Sequence, residues 1–593
     1  MFGFSTYEYD SDGFRECSVT GLSIHESAED MVKLYGLTAI LALTIGGAFA
    51  LAVALTRWEA IGLLSAGDFY TYLSVHAWNL LIFWMVFMEI AILYVGGPFV
   101  LGRRLSLPRV AKVGWVVMAA GAVLVNAAIL FTEYPNQAPL LTSYVPLPSS
   151  WQFYLGATVF VLGAIVAAVP FLATIWHHQQ ENPTETLPLV TFGAFITSIV
   201  ALEALLGGLV TYVPTLLWRV GYFESLDPAF YRQMYWIIGH GSQQINLLAM
   251  ITVWYFLTHV VGGAVVASQK VSRAAFVLYL FFINLGAAHH LMSDPVVSAG
   301  WRMWNTSYAA YGAVVASMIH AFAIPAGLEV GRRAKGKAGG LFGWLWSSPW
   351  DDPGFSATIL SIILFGFLGG ITGVMMGQMQ LNMTWHNTLA TVGHFHATVA
   401  TGTTLAFMGL GYYVLRLVFG REWSLGPLAK IQPYLYGGAM GLTVLMMMYT
   451  GILFGVPRRH PSVMDIPGTA FSFSPAKPFF AVFGVAAILA ILGGALFVVV
   501  ALTSLLFGKP FEGGPVGDVD RAAADGGGRT DGGERTDGSQ SSSDLRSDGG
   551  EGKAAHAYSM RGTFVLCLVF LGAFVTLWAL NWYLLSTIWQ IGP

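Results

Sequence analysis

Long apolar runs separated by short polar joints dominate the chain. A bilayer hydrocarbon core of about 30 Å is crossed by a helix of about 20 apolar residues. On that measure the pattern predicts thirteen membrane helices, over 31–56, 71–101, 110–132, 151–176, 187–213, 230–262, 272–291, 306–329, 356–378, 385–418, 432–455, 478–507 and 561–588. Several exceed the minimum, as tilted helices do. Residues 1–30 are polar and acidic and lack the apolar core of a signal peptide. Residues 508–560, with the run GGPVGDVDRAAADGGGRTDGGERTDGSQSSSDLRSDGGEG, hold almost no large apolar side chains. They predict a disordered, acidic Gly/Ser/Asp linker. The expected organisation is a polar N-terminal segment (1–30), a twelve-helix core (31–507), the linker (508–560) and a thirteenth helix (561–593). The fold class is an all-α polytopic membrane helix bundle.

Composition supports this. Charged residues make up 10% of the chain and hydrophobic residues 55%, against about 25% charged in soluble domains. A net charge of −3 gives no basic field for nucleic acid. The two cysteines, Cys17 and Cys567, exclude a disulfide framework, an all-cysteine zinc or iron–sulfur site and a dinuclear copper centre within the chain. Basic residues gather in the loops after even-numbered helices: Arg103, Arg104, Arg109 and Lys112; Lys270 and Arg273; Arg332, Arg333, Lys335 and Lys337; Arg416, Arg421 and Lys430. Positive loops stay cytoplasmic. The N-terminus is therefore expected inside a cell membrane that the chain crosses many times.

Histidines carry the candidate chemistry. Ten of the 14 lie in or at the ends of apolar segments: His76, His177, His240, His259, His289, His290, His320, His386, His394 and His396. Ionisable groups at membrane depth are costly and point to function. His394 and His396 stand two apart on helix ten, so their side chains point about 200° apart and address two different neighbours. Two planar cofactors suit that arrangement better than one tetrahedral metal. With alternating helix directions, His76, His240, His289, His290, His394 and His396 share the outer half of the membrane. Imidazole suits copper and iron.

The motifs GLFGWLWSSPWDDPGF, WHNTLATVGHFHATVATG and GVPRRH, with the HH pair and GH of helices seven and six, resemble the catalytic subunit of the heme–copper oxygen reductase superfamily, which includes nitric oxide reductases. The likeness is to the B-type oxidases and covers helices two to twelve. It implies two hemes and one non-heme metal. His76 and His396 would be axial ligands of a low-spin heme and His394 the proximal ligand of a high-spin heme. His240, His289 and His290 would hold the second metal, copper rather than iron. Arg458, Arg459 and His386 match positions that hold heme propionates; forked guanidiniums suit carboxylates. The likeness also implies a small subunit II with a cupredoxin-like copper domain on the outer face. Electrons would come from a blue copper protein, cytochrome c or a quinol.

One departure bears on the substrate. Most oxygen reductases carry a tyrosine four residues after the helix-six histidine; here that residue is Gln244. The C-type position for the tyrosine, six residues before the HH pair, is Ile283. Cleaving O₂ in one step draws four electrons, the last from the tyrosine, whereas coupling two NO needs two. Gln244 has the shape of the glutamate that nitric oxide reductases carry there, without its charge. The expected reaction is NO reduction to N₂O, with O₂ reduction to water as the alternative and Tyr235 or Tyr279 as substitute electron donors. A transporter using the histidines as a proton relay is the rival without redox chemistry. Tyr255, Ser317 and His320 match B-type proton-path positions. Glu89 and Glu203 read as further buried carboxylates.

Overall fold

The computed structural model describes residues 7–132, 148–295, 297–337, 339–461, 473–511 and 560–588. Each of the thirteen predicted segments is a helical rod. They are α1 (Glu26–Arg57), α2 (Ala66–Phe99), α3 (Pro108–Phe131), α4 (Trp151–Glu181), α5 (Leu189–Arg219), α6 (Pro228–Val260), α7 (269–291), α8 (Ala299–Ala334), α9 (Pro353–Gly377), α10 (389–418), α11 (Gly426–Phe454), α12 (Ser474–Phe507) and α13 (Arg561–Ile588). Among the described residues, ten of them are long and apolar enough to cross a membrane. Rods α6, α7 and α10 carry five of the six histidines singled out above. α6 takes a central place in the bundle, packing on α5, α7, α9 and α10. The linker, from 512 to 559, lies outside the described residues.

Two ends of the bundle are distinguishable. At one, the strand pair β1 (Phe14–Glu16) and β2 (Ser23–His25) leads into a buried ion cluster, in which Glu29 meets Arg15 at 2.7 Å and Lys33 at 3.0 Å. Arg15 also donates to the Leu417 carbonyl. Arg332, Arg416, Arg421 and Lys430 tie neighbouring joints at this end. At the other, Arg57 donates to the Arg458 carbonyl (2.7 Å), Thr388 bridges to Pro457 and Arg232 pairs with Asp294. The basic joints thus lie opposite the histidine end.

Backbone bonds slip to π-type spacing at Trp78–Phe83, Val95–Phe99, Asn305–Ala309, Phe365–Gly370, Ala397–Thr403 and Val414–Val418. Such turns are frequent at functional sites, and three of these six flank the histidines. Gly451 lets α11 touch α10: a Cβ there would lie 1.9 Å from the Ala390 nitrogen. One expectation fails. Glu89 is buried on α2, at 4% exposure, but Glu203 is exposed on α5. It shares a 3–4 spaced stripe with Leu206, Val210 and Val213, all outward-facing.

Asp352 caps α9, its Oδ1 accepting the N–H groups of Gly354 (2.8 Å) and Phe355 (3.0 Å). Burial pushes its carboxyl from 3.8 up to about 6. A folded state that holds the proton more tightly than the unfolded chain loses stability as pH rises between those values. Thermal unfolding of Asp352→Asn, which keeps a cap, should therefore match wild type near pH 4 and exceed it above pH 6. Asp352→Ala should cost about 1 kcal/mol in cap bonds at low pH. A wild-type-minus-Asn difference flat across this range would refute the assignment.

Candidate metal centre

His76 and His396 face each other from α2 and α10. Their rings are nearly parallel (19°) with centroids 6.3 Å apart. Each Nδ1 lies on a backbone carbonyl: His76 on Gly46 (3.1 Å) and His396 on Val392 (2.9 Å). A carbonyl only accepts, so both Nδ1 atoms carry hydrogen and both Nε2 atoms are left as acceptors. Two metal–imidazole bonds of about 2 Å each, with half a ring on either side, fill a separation of this size.

His394, two residues from His396, faces the other way, as the helical phase requires. Its Nδ1 lies 2.9 Å from Thr372 Oγ1. That hydroxyl spends its own hydrogen on the Leu368 or Gly369 carbonyl, so it accepts from Nδ1 and again leaves Nε2. Space beside the ring is kept by α9: a Cβ on Gly373 would lie 3.1 Å from His394 Cε1. His394 shares a cavity of ≈ 220 Å³ with His240, His289 and Gln244.

His240, His289 and His290 form the third group. One ligand nitrogen from each lies within 4.8 Å of the others. Nitrogens on one metal at about 2 Å are at most about 4 Å apart, so less than an ångström of movement closes them on a single ion. His290 is sandwiched flat against Trp236, with centroids 3.9 Å apart and planes within 3°. Its Nε2 is buried with no hydrogen-bond partner among the described residues. A buried orphan nitrogen costs about 1–3 kcal/mol and suits a ligand position. Gln244 lies one turn beyond His240, 97% buried, its amide 2.8 Å from His240 Nδ1. The side chain of Ile283 lies outside the described residues.

The remaining sequence candidates fall around this site. Arg458 and Arg459 are half-buried at the histidine end, beside Tyr235 and His386. Tyr255 OH is 3.0 Å from Ser272 Oγ and 3.1 Å from His320 Nδ1. Ser317 Oγ is 2.8 Å from Tyr279 OH, and both line the cavity. The Tyr279 ring lies parallel to His320 at 5.7 Å. Hydroxyl and imidazole groups thus run from α6 and α7 to the cavity through α8.

Several site residues escaped sequence reading. Thr372, Trp236 and Asn382, which donates to the His289 carbonyl (3.1 Å), are ordinary residue types whose partners are far away in the chain. Arg57 is different: a charge at the end of an apolar run was visible. It is 6% exposed and its charge acts on His396.

The helical membrane bundle, with paired imidazoles across one metal's width and a third facing a three-imidazole cluster, defines the heme–copper class of membrane proteins. The chain belongs to the cytochrome c and quinol oxidase polypeptide I family, which it matches over residues 30–496. It is 30% identical over 364 residues to cytochrome c oxidase subunit 1 of Thermus thermophilus, covering 61% of this chain and 60% of that protein. It is 23% identical over 410 residues to the Bacillus subtilis subunit of the same name, covering 67% and 62%. The chain thus spans about three fifths of these relatives. A heme–copper terminal oxidase dimer solved by cryo-EM superposes with a TM-score of 0.76 at 25% identity, over 84% of this chain and 88% of that one. Membership implies hemes and a copper or related metal centre. The residues fit such groups: the imidazoles face each other, the His290 nitrogen is orphaned and Gly373 keeps room beside His394.

His290→Ala should lower the copper content of purified protein at least about tenfold while the Soret absorbance persists. Copper retained at wild-type level would remove the three-histidine group from consideration.

Proposed function

We propose that this chain is the catalytic subunit of a respiratory terminal reductase in the cell membrane and that it reduces NO to N₂O. His76 and His396 would hold a low-spin heme, His394 a high-spin heme, and His240, His289 and His290 a non-heme metal. Three neutral imidazoles beside an uncharged amide favour copper over iron there. When bound, these groups carry the electrons and bind the gas, and their two metals at the cavity supply the two electrons that convert two NO and two protons to N₂O and water.

The observation that carries the substrate is Gln244. Its amide occupies the turn facing His240 at 2.8 Å, where oxygen reductases carry an oxidisable phenol. An amide gives up neither an electron nor a proton at neutral pH, so the O₂ reaction lacks its fourth electron at this position. What Gln244 does instead is hold the His240 ring in place. Arg458, Arg459 and His386 supply donors for propionates. Protons would enter from the basic end, through Ser272, Tyr255 and His320, and reach the cavity by Ser317 and Tyr279. The basic joints favour a cytoplasmic N-terminus. The numbering in the relatives' names supports a second subunit, which we take to be small and to carry a cupredoxin-like copper domain. The donor to it would be a blue copper protein, cytochrome c or a quinol.

A second reading, O₂ reduction to water, is favoured by Tyr279, a phenol that lines the same cavity as His240. The two separate cleanly. Under the NO reading the reduced complex turns over NO anaerobically with one N₂O per two NO by mass spectrometry, and Tyr279→Phe slows that rate by no more than about 10²-fold, the scale of one lost proton-relay step. Rapid O₂ uptake with little N₂O, abolished by Tyr279→Phe, would establish the O₂ reading instead. Tyr255→Phe and His320→Asn should slow turnover by about 10²-fold under either, with heme spectra unchanged.

A further inference from the structure

One wall of the histidine cavity comes from outside the twelve-helix core. Phe570 and Phe574 of α13 line the cavity that His240, His289 and His394 share. Leu566, Phe570 and the neighbouring Ala573 and Phe574, three and four residues beyond Phe570, are partly buried on one side of this helix, whereas Leu568, Val569, Leu571 and Val575 are 43–59% exposed. The helix packs on α8 and α9. Around Phe570 its hold includes apolar contacts: the Phe570 ring meets Phe367 edge-on at 5.1 Å, and a Cβ on Gly366 would lie 3.4 Å from Phe570 Cε2.

The beginning of α13 is fixed quite differently. Glu329 of α8, fully buried, accepts the N–H of Gly562 (3.1 Å) and both the N–H (2.7 Å) and hydroxyl (2.8 Å) of Thr563. Its other partner is Arg333, at 2.9 Å. A carboxylate on the first N–H groups of a helix is favoured by bonding and by the dipole. The fit excludes side chains: a Cβ on Gly562 would lie 2.4 Å from the Leu341 carbonyl oxygen. The helix is thus anchored by charge at one end and leans on the cavity through two rings. Rings without hydrogen bonds are displaced at the cost of dispersion contacts alone.

We propose that α13 is the access wall of the site. A small apolar gas, more soluble in hydrocarbon than in water, passes from the lipid between α8 and α9, and Phe570 and Phe574 set its rate of admission. This rests on the reading of the cavity as a gas-binding heme site. The test uses CO, flash-photolysed from the reduced full complex, with the bimolecular rebinding rate as the readout. Phe570→Ala combined with Phe574→Ala should speed rebinding about tenfold, and Phe570→Trp should slow it by a similar factor, one barrier increment of the usual size. Leu571→Ala, on the lipid face, should change nothing. Rates unchanged in both directions, with the CO-photolysable band intact, would overturn the access role alone. A Soret maximum shifted in the alanine variant would also overturn it, because the rings would then be packing against the porphyrin. Wild-type protein with no CO-photolysable band would overturn the heme reading itself.

Discussion

An imidazole in an apolar interior must satisfy two nitrogens of opposite character, and the arrangement of this bundle follows from that requirement. A neutral ring has one donor and one acceptor, and leaving either unmet at membrane depth costs free energy on the scale of a lost hydrogen bond. In His76 and His396 a backbone carbonyl takes the donor, and in His394 a threonine hydroxyl does. The opposite nitrogen is thereby fixed as an acceptor and aimed by the same contact. Each ring is oriented from behind by α1, α9 or its own helix, so the bundle prepares ligand directions before any ion is considered.

The same economy explains the distribution of polarity among the rods. The helices that carry the triad and the HxH pair are wrapped by neighbouring rods. Ion pairs sit at the ends, where Arg15, Glu29 and Lys33 neutralise one another at one face and Arg232 meets Asp294 at the other. Buried pairs of this kind add little stability on balance but are costly to break singly.

Much of this was legible in the chain itself. Thirteen rods followed from the length of apolar runs, because a bilayer imposes a minimum span. The six histidines were conspicuous because few ionisable residues occur within such runs, and the opposed directions of His394 and His396 followed from helical geometry. What escaped was everything set by contacts between distant segments. Thr372, Trp236 and Asn382 are unremarkable until α9, α6 and the turn between α9 and α10 are placed beside their histidines. Glu203 was misjudged because an apolar stretch tells nothing about which side of a helix meets lipid. Phe570 and Phe574 looked like any membrane-helix aromatics, and only packing against α9 brings them to the cavity.

The bond between Gln244 and His240 differs in kind from those behind the other rings. A carbonyl oxygen can only receive a hydrogen, so it dictates one tautomer. A primary amide carries an oxygen and an NH₂ on one carbon, and a half-turn about its last torsion exchanges them within nearly the same volume. His240 is therefore not committed by its neighbour to presenting one nitrogen: with the oxygen toward the ring, Nδ1 carries the hydrogen, and with the NH₂ toward it, Nε2 does. Gln244 leaves this one imidazole ambidextrous, while the imidazoles of His76, His394 and His396 are single-handed.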